Sequence, residues 1–172
     1  MLNEVTIRRF QERDASPVRE LFIAVNRQLS PPDMREAFES YIARSLKEEM
    51  DQVSAYYGER GGGFWVADRG GEIIGMFGLE SAGAGSCELR RMYVAPSARR
   101  GRVASLMLRF AEDECRRSGV HNIELSTSEL QPAAIELYRK AGYKFVREAV
   151  VVDASNKTVG GGIRRFYFEK VL

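Results

Sequence analysis

The sequence predicts an α/β protein in which helices cover both faces of a mixed β-sheet. Short runs rich in β-branched and aromatic residues alternate with longer stretches whose apolar residues recur every three or four positions. An apolar run at residues 89–94 is followed by a basic loop and a helical pattern, which is the order of a strand–loop–helix unit. The chain of 172 residues is long enough for one sizeable core, and we expect a single domain over residues 1–172.

The first elements are predicted to be one strand and one helix. Residues 4–10 form a short β-prone run. Asp14 or Ser16 can cap a helix that continues to about Leu29, since both side chains accept hydrogen bonds from free N–H groups of a first turn. A Pro-Pro dipeptide follows and predicts the end of this helix.

A second helix is predicted from Asp33 to Gly58. Its apolar residues lie on one stripe at three- and four-residue spacing, which predicts one continuous amphipathic helix. The stripe consists of Met34, Phe38, Tyr41, Ile42, Leu46, Met50, Val53 and Tyr57.

The remaining elements continue the alternation. The turn Arg69-Gly70-Gly71 is typical of a hairpin and joins predicted strands at residues 64–68 and 72–79. A Gly- and Ser-rich loop at residues 81–86 leads into the strand that ends at residue 94. The later predictions are a helix at 103–118, strands at 122–127, 143–152 and 164–171, a helix at 132–141, and a turn or flexible loop at 153–162.

Composition and charge exclude several classes of protein. A net charge of +2 is too small to indicate a nucleic-acid or membrane partner. The chain has no apolar run of about 18 residues and no apolar segment typical of a signal peptide, so we expect a cytoplasmic protein. Cys87 and Cys115 are expected to be reduced thiols. The only histidine, His121, has no cluster of potential ligands near it in the sequence, so we expect no metal.

Residues 88–108, ELRRMYVAPSARRGRVASLML, predict an anion-binding site. A strand that passes through a tight loop into a helix presents free N–H groups and the positive end of the helix dipole. The loop contributes Arg99, Arg100, Gly101 and Arg102 at that point. The spacing fits neither a Walker sequence nor a dinucleotide fingerprint, so another phosphate-bearing ligand is expected.

Two segments together resemble the GNAT superfamily of N-acetyltransferases. The loop RRGRVA, residues 99–104, resembles the R/Q-x-x-G-x-G/A loop that holds the pyrophosphate of acetyl-coenzyme A in that family. Residues 131–143, QPAAIELYRKAGY, are similar to its N-x-x-A-x-x-x-Y-x-x-x-G-F/Y segment. The resemblance implies a central, largely antiparallel sheet with splayed parallel fourth and fifth strands. It also implies acetyl transfer from acetyl-CoA to a primary amine in a ternary complex, without a metal.

The resemblance assigns roles to individual residues of this chain. It implies that Tyr138 protonates the departing thiolate, that Glu88 is the general base, and that the Met92 N–H stabilises the oxyanion. It implies a β-bulge in the fourth strand and a gap beside it that receives the pantetheine arm. The residues expected to contact the cofactor are Met92, Tyr93, Val94, Arg99, Arg100, Gly101, Arg102, Val103, Ala104, Ser105, Gln131 and Tyr138.

Several features leave alternatives open. Arg102 stands where the family loop has its first glycine, and Gln131 replaces an asparagine. Glu88 could instead be a strand-end carboxylate paired with Arg90 or Arg91, and Tyr138 could be a core aromatic.

The function and the partners of the chain also have open alternatives. The chain could be a catalytically silent acyl-CoA-binding module, or it could use another acyl group or acceptor atom. The five arginines at positions 90, 91, 99, 100 and 102 could form a solvated basic face. Because they cluster at one helix start, we expect a small-molecule or peptide amine as partner rather than nucleic acid, and a homodimer is compatible with the sequence. The resemblance implies that aromatic residues of the first two helices line the acceptor pocket, and helix packing explains the same residues equally well. These residues are Phe38, Tyr41, Tyr56 and Tyr57.

Overall fold

The computed structural model describes residues 4–172, and in these it contains seven strands and five helices. The strands are β1 (Val5–Arg9), β2 (Gly63–Arg69), β3 (Glu72–Ser81), β4 (Ser86–Val94), β5 (Asn122–Ser128), β6 (Lys144–Val151) and β7 (Ile163–Val171). The helices are α1 (Ala15–Leu29), α2 (Arg35–Glu48), α3 (Val53–Glu59), α4 (Val103–Arg117) and α5 (Pro132–Lys140). The sequence therefore predicted every strand, with bounds that differ by a few residues.

The strands form one sheet in the order β1-β2-β3-β4-β5-β7-β6. Neighbouring strands are antiparallel except β4 and β5, which are parallel. Their ladder contains three residue pairs and ends at Glu88–Glu124, although β4 continues to Val94. The predicted mixed sheet with splayed parallel fourth and fifth strands is thus confirmed. We call the space between the two strands beyond Glu88 the β4–β5 fork.

Helices pack on both faces of the sheet. On one face α1, α2 and α3 enclose a core that includes the fully buried Phe22 and Tyr57. On the other face α4 and α5 cover a second core that includes Met107 and Phe168. The sheet therefore has a helical layer on each side, and the fork opens between these layers.

The prediction of a single helix over residues 33–58 is wrong. The backbone leaves the helical path at Glu49, where φ is −142° and ψ is −62°, and a 3₁₀ turn at Met50–Gln52 separates α2 from α3. The Glu49 side chain is completely buried and points toward arginines of β4. An ion pair inside the protein therefore overrides the local helical pattern.

The start of α1 also differs from the prediction. Asp14 is the residue before the helix, but its side chain makes no capping hydrogen bond to α1, and Ser16 lies inside the helix. The Asp14 carboxylate instead accepts hydrogen bonds from the Gln11 N–H, at 2.8 Å, and from Arg8. Hydrogen bonding to Arg8 outweighs burial, so the pKa of Asp14 is lowered. Asp14 therefore fixes the turn before α1 rather than the helix itself.

The two cysteines, which the sequence leaves unconnected, lie against each other. Cys87 on β4 and Cys115 on α4 are buried free thiols whose sulfur atoms are 2.7 Å apart. They pack in the core that joins α4 to the sheet.

Within residues 4–172, no helix is both long enough and apolar enough to cross a membrane. The same residues contain no group of three potential metal ligands.

Candidate active site

A β-bulge interrupts β4 beside the fork. Gly78 of β3 is opposite Arg90, whereas Met76 is opposite Tyr93, so two residues of β4 face one residue of β3. Arg91 lies within this bulge and has a left-handed backbone with φ of 56°. The expected bulge in the fourth strand is therefore present, at Arg91 and Met92.

The bulge changes which way the β4 side chains point. Leu89, Met92 and Val94 pack with the core under α4 and α5. Tyr93 packs with the core under α1 to α3, and Arg91 lies over the Phe22 ring of that core. A regular strand would place consecutive residues on opposite faces. The extra residue allows the neighbouring Arg90 and Arg91 to share one face.

Both arginines bind Glu49 inside the protein. Arg90 donates to Glu49 Oε1 at 3.0 Å, and Arg91 donates to both carboxylate oxygens at 2.9 Å. The Tyr57 hydroxyl donates to Glu49 Oε2 at 2.7 Å. A Cβ at Gly78 would lie 2.5 Å from the Tyr57 ring, so this glycine leaves the space that Tyr57 occupies. We call these four side chains, Glu49, Tyr57, Arg90 and Arg91, the Glu49 cluster.

The charges in this cluster set the ionisation of Glu49. Burial alone raises the pKa of a carboxyl group, but the charges and hydrogen bonds of Arg91 and Arg90 outweigh it. The pKa of Glu49 is therefore lowered to about 2. Glu49 stays ionised at neutral pH. Together with Glu80, which accepts a hydrogen bond of 3.2 Å from Arg90, it compensates two guanidinium charges that are almost wholly buried.

The segment at residues 153–162 is fastened to this cluster. Asn156 Nδ2 donates to Glu49 Oε1 at 3.0 Å, and the Asn156 carbonyl accepts a hydrogen bond from Arg91. Lys157 Nζ donates to Glu80 at 2.8 Å and to Glu88 at 3.2 Å. The predicted turn or flexible loop is thus a segment without regular secondary structure, and these hydrogen bonds connect it to the Glu49 cluster and to Glu80 and Glu88.

One cavity of about 270 Å³ lies at the mouth of the fork. It brings together residues from distant parts of the chain that the sequence singled out for chemistry and cofactor contact. The predicted site residues that line it are Glu88, Met92, Tyr93, Gln131 and Tyr138. Val94 and residues 99–105 do not line this cavity. The predicted site thus divides into a chemical centre and a separate loop at the start of α4.

Tyr138 is both a core aromatic and part of the cavity wall. Its ring packs against Tyr143 and Phe168, with centroids 5.8 and 6.3 Å away, and it also lines the cavity. Burial, and then the nearby Tyr93, raise the pKa of Tyr138. The phenol therefore keeps its proton at neutral pH.

Glu88 is ion-paired at the edge of the cavity. Its carboxylate lies 3.2 Å from Lys157 Nζ and 3.9 Å from Arg90 Nε. Arg90 was one of its two expected partners, but Arg91 instead binds Glu49. Glu88 therefore has both the exposure to the cavity expected of a base and the pairing expected of a strand-end carboxylate.

Gln131 precedes α5 and makes a local contact. Its side-chain oxygen accepts a hydrogen bond of 3.3 Å from the Thr127 hydroxyl. This bond orients the amide nitrogen away from Thr127. Because Gln131 lines the cavity, that nitrogen can act as a donor there.

The loop before α4 has an unusual backbone. Arg100 and Arg102 both have positive φ, at 69° and 62°, whereas Gly101 between them does not. Arg102 is the residue that precedes α4, with ψ of 13° in the left-handed region. Arg102 stands at a position where the family loop has glycine, and its backbone has the left-handed conformation that favours glycine. Arg99, Arg100 and Arg102 are exposed and make no ion pair within residues 4–172.

The idea of a basic face formed by five arginines is wrong for two of them. Arg90 and Arg91 are only 6% and 7% exposed and are bound to Glu49.

Of the aromatic residues expected around the acceptor pocket, Phe38 and Tyr41 line the cavity. Tyr57 belongs to the Glu49 cluster, and the Tyr56 hydroxyl accepts a hydrogen bond from Arg90 at 3.1 Å.

Comparison with known proteins agrees with this geometry. The model of the Acetyltransferase (GNAT) family matches residues 28–143, which contain β4, the loop, α4, β5 and α5. The chain belongs to the GNAT acetyltransferase family. N-acetyltransferase 8 of Rattus norvegicus is 30% identical over 118 residues, 65% of this chain and 53% of that protein. The IAA acetyltransferase of Azospirillum brasilense is 38% identical over 82 residues, 46% of this chain and 53% of that protein.

Solved GNAT structures share the fold over nearly the whole chain. The PaiA N-acetyltransferase of Thermoplasma acidophilum in complex with coenzyme A has a TM-score of 0.78 at 19% identity, and covers 98% of this chain and 99% of its own. The ribosomal-protein-alanine N-acetyltransferase of Brucella melitensis has a TM-score of 0.74 at 19% identity, with coverage of 97% and 99%. At this identity the likeness concerns the fold. The chain spans about half the length of the sequence relatives named above.

Three residues at or beside this cavity were not predicted from the sequence. Glu49 lies on the apolar stripe of the predicted helix, four residues before Val53, and a charge at such a position was an available signal. Lys157 and Arg165 line the cavity but lie beyond residue 143, outside the part that matches the family model. No local pattern marks them, since only the fold brings them to the fork.

Proposed function

We propose that this chain is an N-acetyltransferase that moves the acetyl group of acetyl-CoA directly to a primary amine in a ternary complex. The observation that carries the proposal is the β4–β5 fork, which opens into a cavity lined by Glu88, Met92 and Tyr138. Beyond Glu88 the edge of β4 that faces β5 is free of the parallel ladder. A pantetheine arm in the fork would pair with the backbone of Met92 and Val94, as the amides of a neighbouring strand would.

The basic loop supports a phosphate-binding role. Three exposed guanidinium groups surround the start of α4, whose first N–H groups and dipole attract an anion. Left-handed backbone at Arg100 and Arg102 turns the main chain around Gly101, a geometry in which successive N–H groups form an anion-binding concavity. We assign residues 99–105 to the pyrophosphate and Gln131 to a further contact with the cofactor.

The chemistry then follows from three groups. The neutral amine attacks the thioester carbon, so a nitrogen–carbon bond forms and the carbon–sulfur bond breaks. The Met92 N–H donates to the oxyanion, an interaction that is typically worth about 10²–10³ in rate. The Tyr138 phenol protonates the leaving thiolate and regains a proton from the acceptor nitrogen as the amide forms. Burial raises the pKa of the phenol, and it would raise the pKa of a buried thiol in the same way. The two pKa values therefore stay similar, and the proton can pass from Tyr138 to the thiolate.

Glu88 is the proposed acceptor of the first proton. An ammonium group must lose a proton before it attacks, and Glu88 is the carboxylate at the edge of the cavity. Lys157, 3.2 Å away, keeps this carboxylate in place and shares its charge. The proton can pass from Glu88 to water, since its side chain is 25% exposed.

The proposed acceptor is a small-molecule or peptide amine rather than nucleic acid. A cavity of about 270 Å³ is near the lower end of the sizes usual for ligand sites, which supports a small acceptor group. A cytoplasmic location and a homodimer remain predictions, and light scattering of the purified chain tests the second.

Two measurements test the proposal. Isothermal titration with acetyl-CoA measures binding, and thiol release over a panel of amines measures turnover. Micromolar binding with thiol release supports the enzyme, whereas binding without release for any amine would indicate a silent acyl-CoA-binding module. Absence of micromolar binding would refute both.

The phosphate-binding role has its own matched control. Replacement of Arg99, Arg100 and Arg102 together by alanine should weaken acetyl-CoA binding by about tenfold or more, since charge-assisted hydrogen bonds are lost. Arg109→Ala removes an exposed arginine from α4, one that makes no ion pair in the described chain, and should leave affinity unchanged. Equal effects would remove the loop from the cofactor site.

A further inference from the structure

Arg165 lies in the cavity wall without an acidic partner. It is half-buried on β7, and its Nε and Nη2 both donate to the Ser126 hydroxyl oxygen, at 3.3 and 3.0 Å. No carboxylate within residues 4–172 forms an ion pair with it. Nη1 and the adjacent edge of Nη2 make no hydrogen bond in this part of the chain. The guanidinium is therefore oriented by Ser126 and presents one donor edge.

The other cations that line the cavity are all compensated. Arg90 and Arg91 bind Glu49, and Lys157 binds Glu80 and Glu88. Among the described residues that line the cavity, Arg165 is thus the cation without a carboxylate partner. A partly desolvated charge without a partner is unfavourable, so an anion that enters the cavity would be stabilised there.

The strand register places this charge near the proposed chemical centre. Glu88 is paired with Glu124, and Arg165 is paired with Ser128, four residues further along β5. Directly paired residues project to the same face of a sheet, so Glu88, Ser126 and Arg165 all face the cavity. The guanidinium is bound to Ser126, which follows Glu124 by two residues on β5. It therefore lies about 7 Å along the strand from the Glu88–Glu124 pair. A small molecule can span that separation.

We infer that the acceptor is an amine that carries a carboxylate, and that Arg165 binds this carboxylate with its free edge. The inference rests on the proposed acetyltransferase function and specifies its acceptor class. A planar carboxylate matches the parallel N–H groups of a guanidinium edge. The amine of the same molecule would then lie toward Glu88 and the Met92 N–H. Amino acids and short amino-acid derivatives have this combination of groups.

Acceptor series that differ only in the carboxylate test the inference. Each series contains an amino acid, its carboxamide and the corresponding simple amine, for example phenylalanine, phenylalaninamide and phenethylamine. With acetyl-CoA as donor, thiol release should give a kcat/KM for the carboxylate member about tenfold to hundredfold above that of its amide, the range typical of a charge-assisted pair. Equal or higher values for the amides and amines would overturn the inference and leave the acetyltransferase function standing.

Two variants assign the preference to Arg165. Arg165→Met should reduce the ratio of carboxylate to amide kcat/KM to about one. Arg164→Met is the matched control, because Arg164 is the next residue of β7, is exposed, and pairs with Glu148. A preference that survives Arg165→Met, or an effect of that variant on acetyl-CoA affinity instead, would assign Arg165 to another ligand.

A binding measurement keeps the inference testable if no amine is turned over. Calorimetry on the CoA-saturated protein compares an N-acetylamino acid with its amide, in the wild type and in Arg165→Met. Binding that needs both the carboxylate and Arg165 supports the inference. Equal affinity for the two compounds overturns it. Failure to bind acetyl-CoA at all would refute the proposed function itself.

Discussion

Replacement of Glu49 by glutamine should strongly destabilise the protein. The substitution keeps the size of the side chain and removes its charge. Arg91 would then be left in the interior without a carboxylate partner, whereas Arg90 would keep Glu80 and the more distant Glu88. Truncating one member of a buried ion pair is typically destabilising by about 3–5 kcal/mol, because the remaining charge is uncompensated.

The lowered pKa of Glu49, which arises from the same ion pairs, corresponds to a contribution of similar size. The folded protein holds it at about 2, compared with an ordinary value of 4.5. That difference corresponds to about 3 kcal/mol of stability at neutral pH. For a chain of this length a loss of about 3 kcal/mol should lower the melting temperature by about 10 °C.

The pH dependence has a defined sign. Since folding lowers the pKa of Glu49, its contribution is complete above pH 4.5 and is lost as the pH falls toward 2. Urea unfolding of the wild type and of Glu49→Gln should therefore show the full difference at pH 7. The difference should become smaller as the pH decreases below about 4.5.

A matched control isolates the buried charge. Glu48→Gln makes the same change one residue earlier, at an exposed position that forms no ion pair in the described chain, and should stay within about 0.5 kcal/mol of the wild type. If Glu49→Gln were as stable as Glu48→Gln at pH 7, the two arginines would not depend on this carboxylate, and the reasoning would be refuted.

Three further substitutions test separate parts of the site. Arg102→Gly should raise the free energy of unfolding by about 1 kcal/mol, because glycine adopts left-handed backbone without strain. If thermal unfolding showed no gain in stability, the backbone at Arg102 would not be strained. Tyr138→Phe should lower kcat about tenfold or more with unchanged acetyl-CoA affinity. The control Tyr143→Phe loses a hydrogen bond to Glu112 outside the cavity and should leave kcat unchanged. An unchanged kcat would remove Tyr138 from the proposed mechanism. Glu88→Gln should shift the pH–rate profile toward alkaline pH and Glu124→Gln should not, and identical profiles would leave Glu88 with a structural role.

The fold could be predicted largely from the sequence because its signals are local. Hairpin glycines, proline breaks and apolar spacing mark elements within a few residues of themselves. The failure at Glu49 has the opposite origin. The spacing of Tyr41, Leu46 and Val53 favours one helix, and the break appears only when β4 brings two arginines to the same place. A partner 41 or more residues away has no local signature.

The site could be predicted only in part for the same reason. Glu88, Met92 and Tyr138 belong to two segments with family-like spacing, and the structure brings them to one cavity. Lys157 and Arg165 reach that cavity from a segment and a strand that follow the matched region. Their positions depend on packing between distant parts of the chain, which local sequence patterns do not contain.

The Glu49 cluster connects stability with the geometry proposed for catalysis. Arg91 has left-handed backbone, which is unfavourable by about 1–2 kcal/mol for a residue with a side chain. Its guanidinium is held by Glu49 and by the Asn156 carbonyl, so these contacts offset the strain and fix the bulge. The bulge in turn directs the backbone of Met92, the next residue. Glu49→Gln should therefore lower kcat even at a low temperature where circular dichroism shows the variant to be folded, whereas a variant that is only less stable would regain full activity under those conditions.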